Sequence, residues 1–251
     1  MSRRAAEGRL TPAEVVATIV PWTGVAEPIY RRVARLADAA PGRETLWVGC
    51  GTGRSVLWWA ERFRTRTEGV DVNEAAIEAA EQAARRAGLQ ELVGFQAASP
   101  TDLPHEPQVF DLTVVNALQL GVVDGGGAVR QAARVVRPMG TVVGIVPTWL
   151  STPSAVEERL LTDLGVRPHL LVEWKGMFRD AGIVELRVED AALEGRWISP
   201  GWVGILVRAW RVAGWRGLRA VIARPFRVFR QLVTRRTVGL SLIKGTRWPH
   251  A

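Results

Sequence analysis

Apolar residues along the chain gather into short unbroken runs separated by amphipathic stretches. Residues 45–48, 69–72, 92–96, 110–115 and 141–147 read as strands, while 55–63, 74–87 and 128–136 carry helical spacing. The run at 110–115, interrupted only by Asp111 and Thr113, reads as a strand covered on both faces. Gly88 is placed to stop the helix at 74–87, and Pro138-Met139-Gly140 reads as a turn into the strand at 141–147. Strands alternating with helices predict an α/β fold, a doubly wound and mostly parallel seven-stranded sheet with right-handed crossovers.

Upstream, Thr11 reads as an N-cap with Pro12 and Glu14 behind it, opening a helix to residue 20. A second amphipathic helix, 25–39, runs through Ile29, Val33 and Leu36 and ends at Pro41-Gly42. Downstream, 155–164 and 174–181 read as helices, 183–188 as a strand, 199–236 as a helical Trp/Arg-rich insert broken at Pro225, and 238–244 as the last strand. There are no repeats and no low-complexity linker. The expectation is one domain over residues 1–251: N-terminal lid helices at 1–43, a core at 44–150, and substrate-side elements at 151–251.

The core turns on one stretch. The first strand stops at Gly49-Cys50-Gly51-Thr52-Gly53, and a helix follows from Ser55. Glycine tolerates positive φ and lets a ligand approach the backbone, and the helix start offers free N–H groups and positive dipole. A purely structural turn fits the same letters. Asp71, eighteen residues beyond Gly53, falls at the carboxyl end of the second strand, where an acidic residue takes a ribose hydroxyl pair. The competing reading of Asp71 is a helix N-cap ahead of Glu74.

Composition narrows the classes. An apolar content of 47% and a charged content of 23% are ordinary globular values. Glu7, Arg9 and Glu14 interrupt the start, so no signal-peptide core is read there, and no window has the roughly 18 predominantly apolar residues of a membrane span. The single cysteine, Cys50, suits a reducing cytoplasm, and three scattered histidines argue against a metal site. Charge is uneven: residues 195–251 carry twelve basic residues and no carboxylate, a net +12, leaving −4 for residues 1–194 of the total +8. Such a tail suggests an anionic partner.

At this point the sequence resembles a known family, the class I S-adenosylmethionine (SAM)-dependent methyltransferases, and within it the small-molecule "methyltransferase type 11" group. Gly49-Cys50-Gly51-Thr52-Gly53 matches its glycine motif, and Gly69-Val70-Asp71-Val72 its ribose-binding strand end. Residues 110–116 resemble its fourth strand, residues 133–140 the helix and turn before the fifth, and Glu173-Trp174, Phe178 and Ala181-Gly182 the segment before the sixth. Trp22 to Tyr30 resembles the N-terminal lid with its aromatic residue. The resemblance spans roughly residues 20–190.

It implies a Rossmann-like methyltransferase fold with SAM as cofactor. By resemblance, Gly49, Cys50, Gly51 and Gly53 would pass under the methionine portion, and Asp71 would bind the ribose hydroxyls. Val72 would pack on the adenine, with Ser99 and Pro100 at its edge. Asn116 would flank the methionine moiety and face the acceptor, and Tyr30 would close over the cofactor. Two positions depart from the family: Trp47 stands two residues before the first glycine in place of an acid, and Ser99 replaces the acid at the adenine amino group.

Methyl transfer from a sulfonium is an in-line displacement that needs alignment and exclusion of water rather than a protein nucleophile. A base matters only for an acceptor that arrives protonated. His105 and His169 are the candidates, and each also fits a surface or packing histidine. The acceptor expected is small and hydrophobic or lipid-like. Trp202, Trp210 and Trp215, set against Arg208, Arg211, Arg216 and Arg219 in the insert at 199–236, suit an anionic membrane surface, and equally a packed helix with a solvated Arg face. The expected location is cytoplasmic with peripheral membrane contact, and the sequence carries no signal of oligomeric state. A nucleic-acid partner is disfavoured: there is no Phe/Tyr stacking run and no Asn-Pro-Pro-Tyr-like base-flipping motif after the fourth strand. The departures at Trp47 and Ser99 leave open a SAM-binding accessory protein without turnover.

Overall fold

A computed structural model describes residues 27–120, 124–163, 166–190, 215 and 237–249. The sequence-read helix at 11–20, Trp22 in the N-terminal lid and nearly all of the insert at 199–236 lie outside the described residues.

The chain runs α1 (Glu27–Leu36), β1 (Thr45–Val48), α2 (Arg54–Phe63), β2 (Thr67–Asp71), α3 (Glu74–Ala87), β3 (Val93–Ala97) and β4 (Phe110–Asn116). It continues through α4 (Gly125–Val135), β5 (Val136–Trp149), α5 (Ala155–Asp163), β6 (His169–Leu170), α6 (Leu171–Asp180), β7 (Ile183–Asp190) and β8 (Val238–Arg247). The sheet order is β3-β2-β1-β4-β5-β8-β7, with β6 on the side of β5. All pairs are parallel except those of β8, which runs antiparallel to both β5 and β7. The strand order reverses between β1 and β4, and ligands of doubly wound sheets bind at such a point.

Alternation within the apolar runs builds two cores. Trp47, Leu112, Val114, Val143, Ile145 and Leu242 project to one face, under α1, α2 and α3. Leu46, Val48, Val115, Val142, Val146 and Ile243 project to the other, under α4 and α6. Successive strand side chains point to opposite faces, so an unbroken run serves both layers at once. Helix ends follow local chemistry: Asn73 caps α3 through its side-chain oxygen on the Ala76 N–H, and Gly88 ends it at φ +66°. The N-cap reading of Asp71 is thereby corrected.

The segment at Pro138-Met139-Gly140 does not end an element. It bulges from β5, whose pairing to β4 jumps from Phe110↔Val136 to Leu112↔Thr141, with Met139 at φ +63°. The two-residue β6, an eighth strand, carries no apolar run long enough to be read from sequence.

Candidate active site

β1 ends at the glycine turn because the backbone there must curl: Gly49, Gly51 and Gly53 have φ of +78°, +53° and +77°. The N–H groups of Gly49 and Cys50 both donate to the Val70 carbonyl, at 2.8 and 3.1 Å, tying the turn to β2. The Gly51 N–H donates to Asp71 Oδ2 at 2.8 Å, and the Asn73 N–H to Asp71 Oδ1 at 3.1 Å. Each carboxylate oxygen keeps lone-pair capacity for a further donor. Burial pushes the Asp71 carboxyl above its usual range, with the backbone N–H groups of Asn73, Gly51 and Val72 pulling the other way.

Asn116, last in β4, closes the turn from the other side. Its Nδ2 donates to the Gly49 carbonyl at 3.4 Å. Its Oδ1 is buried without a partner among the described residues. A buried amide oxygen left unpaired is costly, and this one sits on the side chain whose nitrogen bonds the turn. No Cβ fits at Gly49, where it would meet the Asn116 carbonyl at 2.8 Å and the Gln119 Cβ at 3.0 Å. Cys50 is buried, and desolvation first, then the Asp71 charge, push its thiol far up, so it stays an uncharged packing group.

A narrow cleft of about 10 Å³, the room of one water, runs along Gly49, Val70, Asp71, Val72, Pro100 and Leu120. Val72 is 53% exposed at its edge. Ser99 is exposed, with its hydroxyl held at 2.9 Å by the Thr101 hydroxyl and accepting the Thr101 N–H at 3.2 Å. The turn thus brings together Gly49, Cys50, Gly51, Gly53, Asp71 and Asn116, with Val72 and Pro100 beside them.

Tyr30 stands apart from the cleft lining. It is buried, with its ring centroid 5.7 Å from both Trp47 and Trp58, and burial raises its phenol to about 12. Trp47 is fully buried, meets Trp59 edge-on at 5.6 Å, and its Nε1 has no partner among the described residues. An aromatic cluster therefore fills the place where the family resemblance puts an acid. His105 sits at the amino ends of the strands, 2.8 Å from the Glu68 carboxylate and edge-on to Phe110. Phe110 begins the strand that Asn116 ends, about 20 Å away at ~3.3 Å per residue. His169 lies at the carboxyl end of β5 and is treated below. Among the described residues no cluster of three metal-ligating side chains occurs, and no helix is long and apolar enough to cross a membrane.

The donors present fit SAM. The glycine cradle rejects side chains, Asn116 Oδ1 is an unmet acceptor of the kind an ammonium group needs, and Asp71 presents a buried carboxylate at the end of β2.

Comparison with known proteins agrees. Residues 46–144 match the family model described as "Methyltransferase domain". Methyltransferase GfsG of Streptomyces halstedii is 31% identical over 114 residues, 45% of this chain and 40% of that protein. The 27-O-demethylrifamycin SV methyltransferase of Amycolatopsis mediterranei (strain S699) is 28% identical over 184 residues, 70% of this chain and 66% of that one. The chain thus spans between two fifths and two thirds of the length of these curated relatives. In fold it is similar to the [4+2]-cyclase SpnF, with TM-score 0.73 and 22% identity over 88% of this chain and 81% of the other. It is also similar to geranyl diphosphate C-methyltransferase of Streptomyces coelicolor A3(2), with TM-score 0.69 and 17% identity over 97% and 86%. With the glycine turn, the carboxylate of β2 and the asparagine of β4 in place, residues 46–144 form a methyltransferase domain of the class I SAM-dependent kind.

Proposed function

We propose that the protein transfers the methyl group of SAM to a small acceptor with a substantial apolar part. The observation that carries this reading is the turn itself, where Asp71 and Asn116 converge on Gly49 and Gly51 and leave a buried acceptor oxygen unpaired. SAM supplies an electrophilic methyl on a positively charged sulfur; the chain's part is binding, orientation and exclusion of water. Gly49, Cys50, Gly51 and Gly53 would carry the methionine end, Asp71 the ribose, Val72 the adenine face, and Pro100 with Ser99 its edge. Asn116 Oδ1 would accept from the ammonium group. Tyr30 would act indirectly, by packing on Trp47 beneath the turn.

The small-molecule class is supported by the relatives, since a rifamycin methyltransferase and an erythromycin 3''-O-methyltransferase are among them. A second reading, binding of SAM without methyl transfer, is favoured by Trp47, whose burial removes a polar group from the cofactor side. The likeness in fold to a cyclase makes the same point, since a fold hosts more than one chemistry.

Calorimetry with SAM and S-adenosylhomocysteine, followed by release of S-adenosylhomocysteine across phenol, amine, thiol and sterol acceptors, separates the readings. Binding with turnover supports transfer. Binding without turnover on any acceptor supports the second reading, and no binding at millimolar ligand removes both.

A further inference from the structure

A cavity of about 440 Å³ opens at the carboxyl end of β5, away from the glycine turn, and its walls include Trp149, Pro153, Glu158, Arg167, His169 and Glu173. That volume is in the range of small-molecule pockets. Sheet register places it. One edge of β5 is taken by β8 along the whole of Thr141 to Trp149. The other edge pairs with β4 as far as Asn116↔Ile145, then with β6 at Thr148↔His169. β6 therefore lies in line with β4, beyond its carboxyl end. Thr148 is three steps along the strand from Ile145, so His169 stands about 10 Å past Asn116 along the sheet. Ligands of doubly wound sheets bind beyond the carboxyl ends of the strands, the side on which this cavity opens.

The imidazole is held. Glu173 Oε2 accepts the Leu170 N–H at 2.7 Å at the start of α6, and the same oxygen lies 3.7 Å from His169 Nδ1. The ring meets Trp174 edge-on at 5.0 Å, and Trp174 is itself anchored by its Nε1 on the Pro147 carbonyl at 2.9 Å. Nδ1 turned to Glu173 leaves Nε2 as the nitrogen able to take a proton, a tautomer assigned from that contact.

We propose that this cavity holds the methyl acceptor, a hydroxylated molecule with an apolar ring body, and that His169, positioned by Glu173, takes the hydroxyl proton during transfer. The inference rests on the reading that the glycine turn holds SAM. The acceptor oxygen bonds to the methyl carbon as the methyl–sulfur bond breaks, and the sulfur keeps the electron pair, leaving neutral S-adenosylhomocysteine. The hydroxyl proton moves to His169 and thence to water, and the products are a methyl ether and one released proton. An aliphatic or phenolic hydroxyl needs such a base, because it is un-ionised at neutral pH. Trp149, Pro153, Pro168 and Leu170 supply the apolar surface for the ring. Burial lowers the His169 pKa, Glu173 and Asp124 oppose this and Arg167 adds to it, and Glu158 is a further charged residue in the cavity wall. A lowered pKa keeps the base unprotonated at neutral pH.

The test takes the full chain with SAM and 2-naphthol as probe acceptor. It reads S-adenosylhomocysteine release, calorimetric SAM affinity, and the NMR signals of the histidine rings, of which the chain has three. Expected is turnover of 2-naphthol, with movement of the His169 ring signals and not those of His105 when 2-naphthol meets protein saturated with S-adenosylhomocysteine. His169→Gln should lose about 100-fold or more in kcat with SAM affinity unchanged, and lose the acid limb of the kcat–pH profile. Glu173→Gln should move that limb to lower pH. Thr162→Trp, which fills the cavity from an exposed wall position, should weaken 2-naphthol at least tenfold and leave SAM binding alone. Normal SAM binding with no turnover of 2-naphthol, with unmoved His169 signals, or with full turnover by His169→Gln overturns the inference. Absence of SAM binding by the unmodified chain overturns the reading beneath it.

Discussion

Asp71 holds Gly51 by its backbone: the carboxylate Oδ2 accepts the Gly51 N–H at 2.8 Å, across the gap between the end of β2 and the glycine turn of β1. The other oxygen accepts the Asn73 N–H at 3.1 Å, one residue ahead of α3. A single side chain thus sets the shape of the turn and presents the ribose acceptor.

Asp71→Ala should weaken SAM at least tenfold and lower stability by about 1–3 kcal/mol, since two N–H groups lose their partner. Calorimetry and denaturant unfolding check the two effects. The ribose hydroxyls bond the ionised carboxylate, and burial raises its pKa. SAM affinity should therefore fall on acidification at a pH above the ~3.9 of an exposed aspartate. Stability runs the other way: with the folded pKa above the unfolded one, stability falls as pH rises from the unfolded value through the folded value. An affinity that is unchanged by Asp71→Ala would mean the ribose site lies elsewhere.

Gly49 and Gly53 should separate binding from folding. A Cβ at Gly53 would sit 2.7 Å from Ala80 Cβ and 2.8 Å from Phe95, wedging α3 and β3 from the turn. Positive φ adds about 1–2 kcal/mol of strain and overpacking about 1–3 kcal/mol, so Gly53→Ala should lower the melting temperature by several degrees or more. Gly49→Ala carries the same strain, but its Cβ meets the Asn116 carbonyl and Gln119 at the cleft. Loss of SAM binding should be its first symptom. Equal effects of the two variants on melting and on binding would contradict the division.

Trp47 is the position where the family resemblance suggests restoring an acid. The structure predicts that doing so fails. The side chain is fully buried among Tyr30 and Trp59, so Trp47→Glu would set an unpaired carboxylate in an aromatic core. That costs several kcal/mol, and the variant should unfold or melt far below the parent in a thermal scan. Trp47→Phe leaves a cavity but keeps an aromatic ring and removes an N–H that has no partner among the described residues, so it should cost far less than Trp47→Glu. A stable Trp47→Glu protein with tighter SAM binding would overturn this account.

The tail carries the fourth prediction. Twelve basic residues and no carboxylate lie in residues 195–251, and each Lys or Arg close to an anionic lipid surface adds about 1 kcal/mol. The protein should float with phosphatidylserine vesicles at low salt and release as salt rises. No flotation at low salt would leave the tryptophans and arginines to packing and solvent.

Among the described residues the apolar runs and their spacing were enough to determine the order of strands and helices other than β6, the two-sided sheet and the place of the glycine turn. Each is a local consequence of side-chain period and of glycine's freedom at positive φ. Asp71 and Asn73 are both good capping residues, so the N-cap of α3 stood as a competing reading of Asp71. Only the geometry assigns the cap to Asn73 and turns Asp71 towards Gly51. Three further matters were decided by tertiary contact. Tyr30 belongs to the aromatic cluster around Trp47 because α1 packs on that face of the sheet. His105 and His169, alike as letters, lie at opposite ends of the strands, one against Glu68 and the other at a cavity beyond β4. β6, two residues long, lacks a pattern of its own and exists because β5 outlasts β4 and offers a free edge. Periodicity is written in neighbouring residues, whereas these relations join residues far apart in the chain, which only packing brings together.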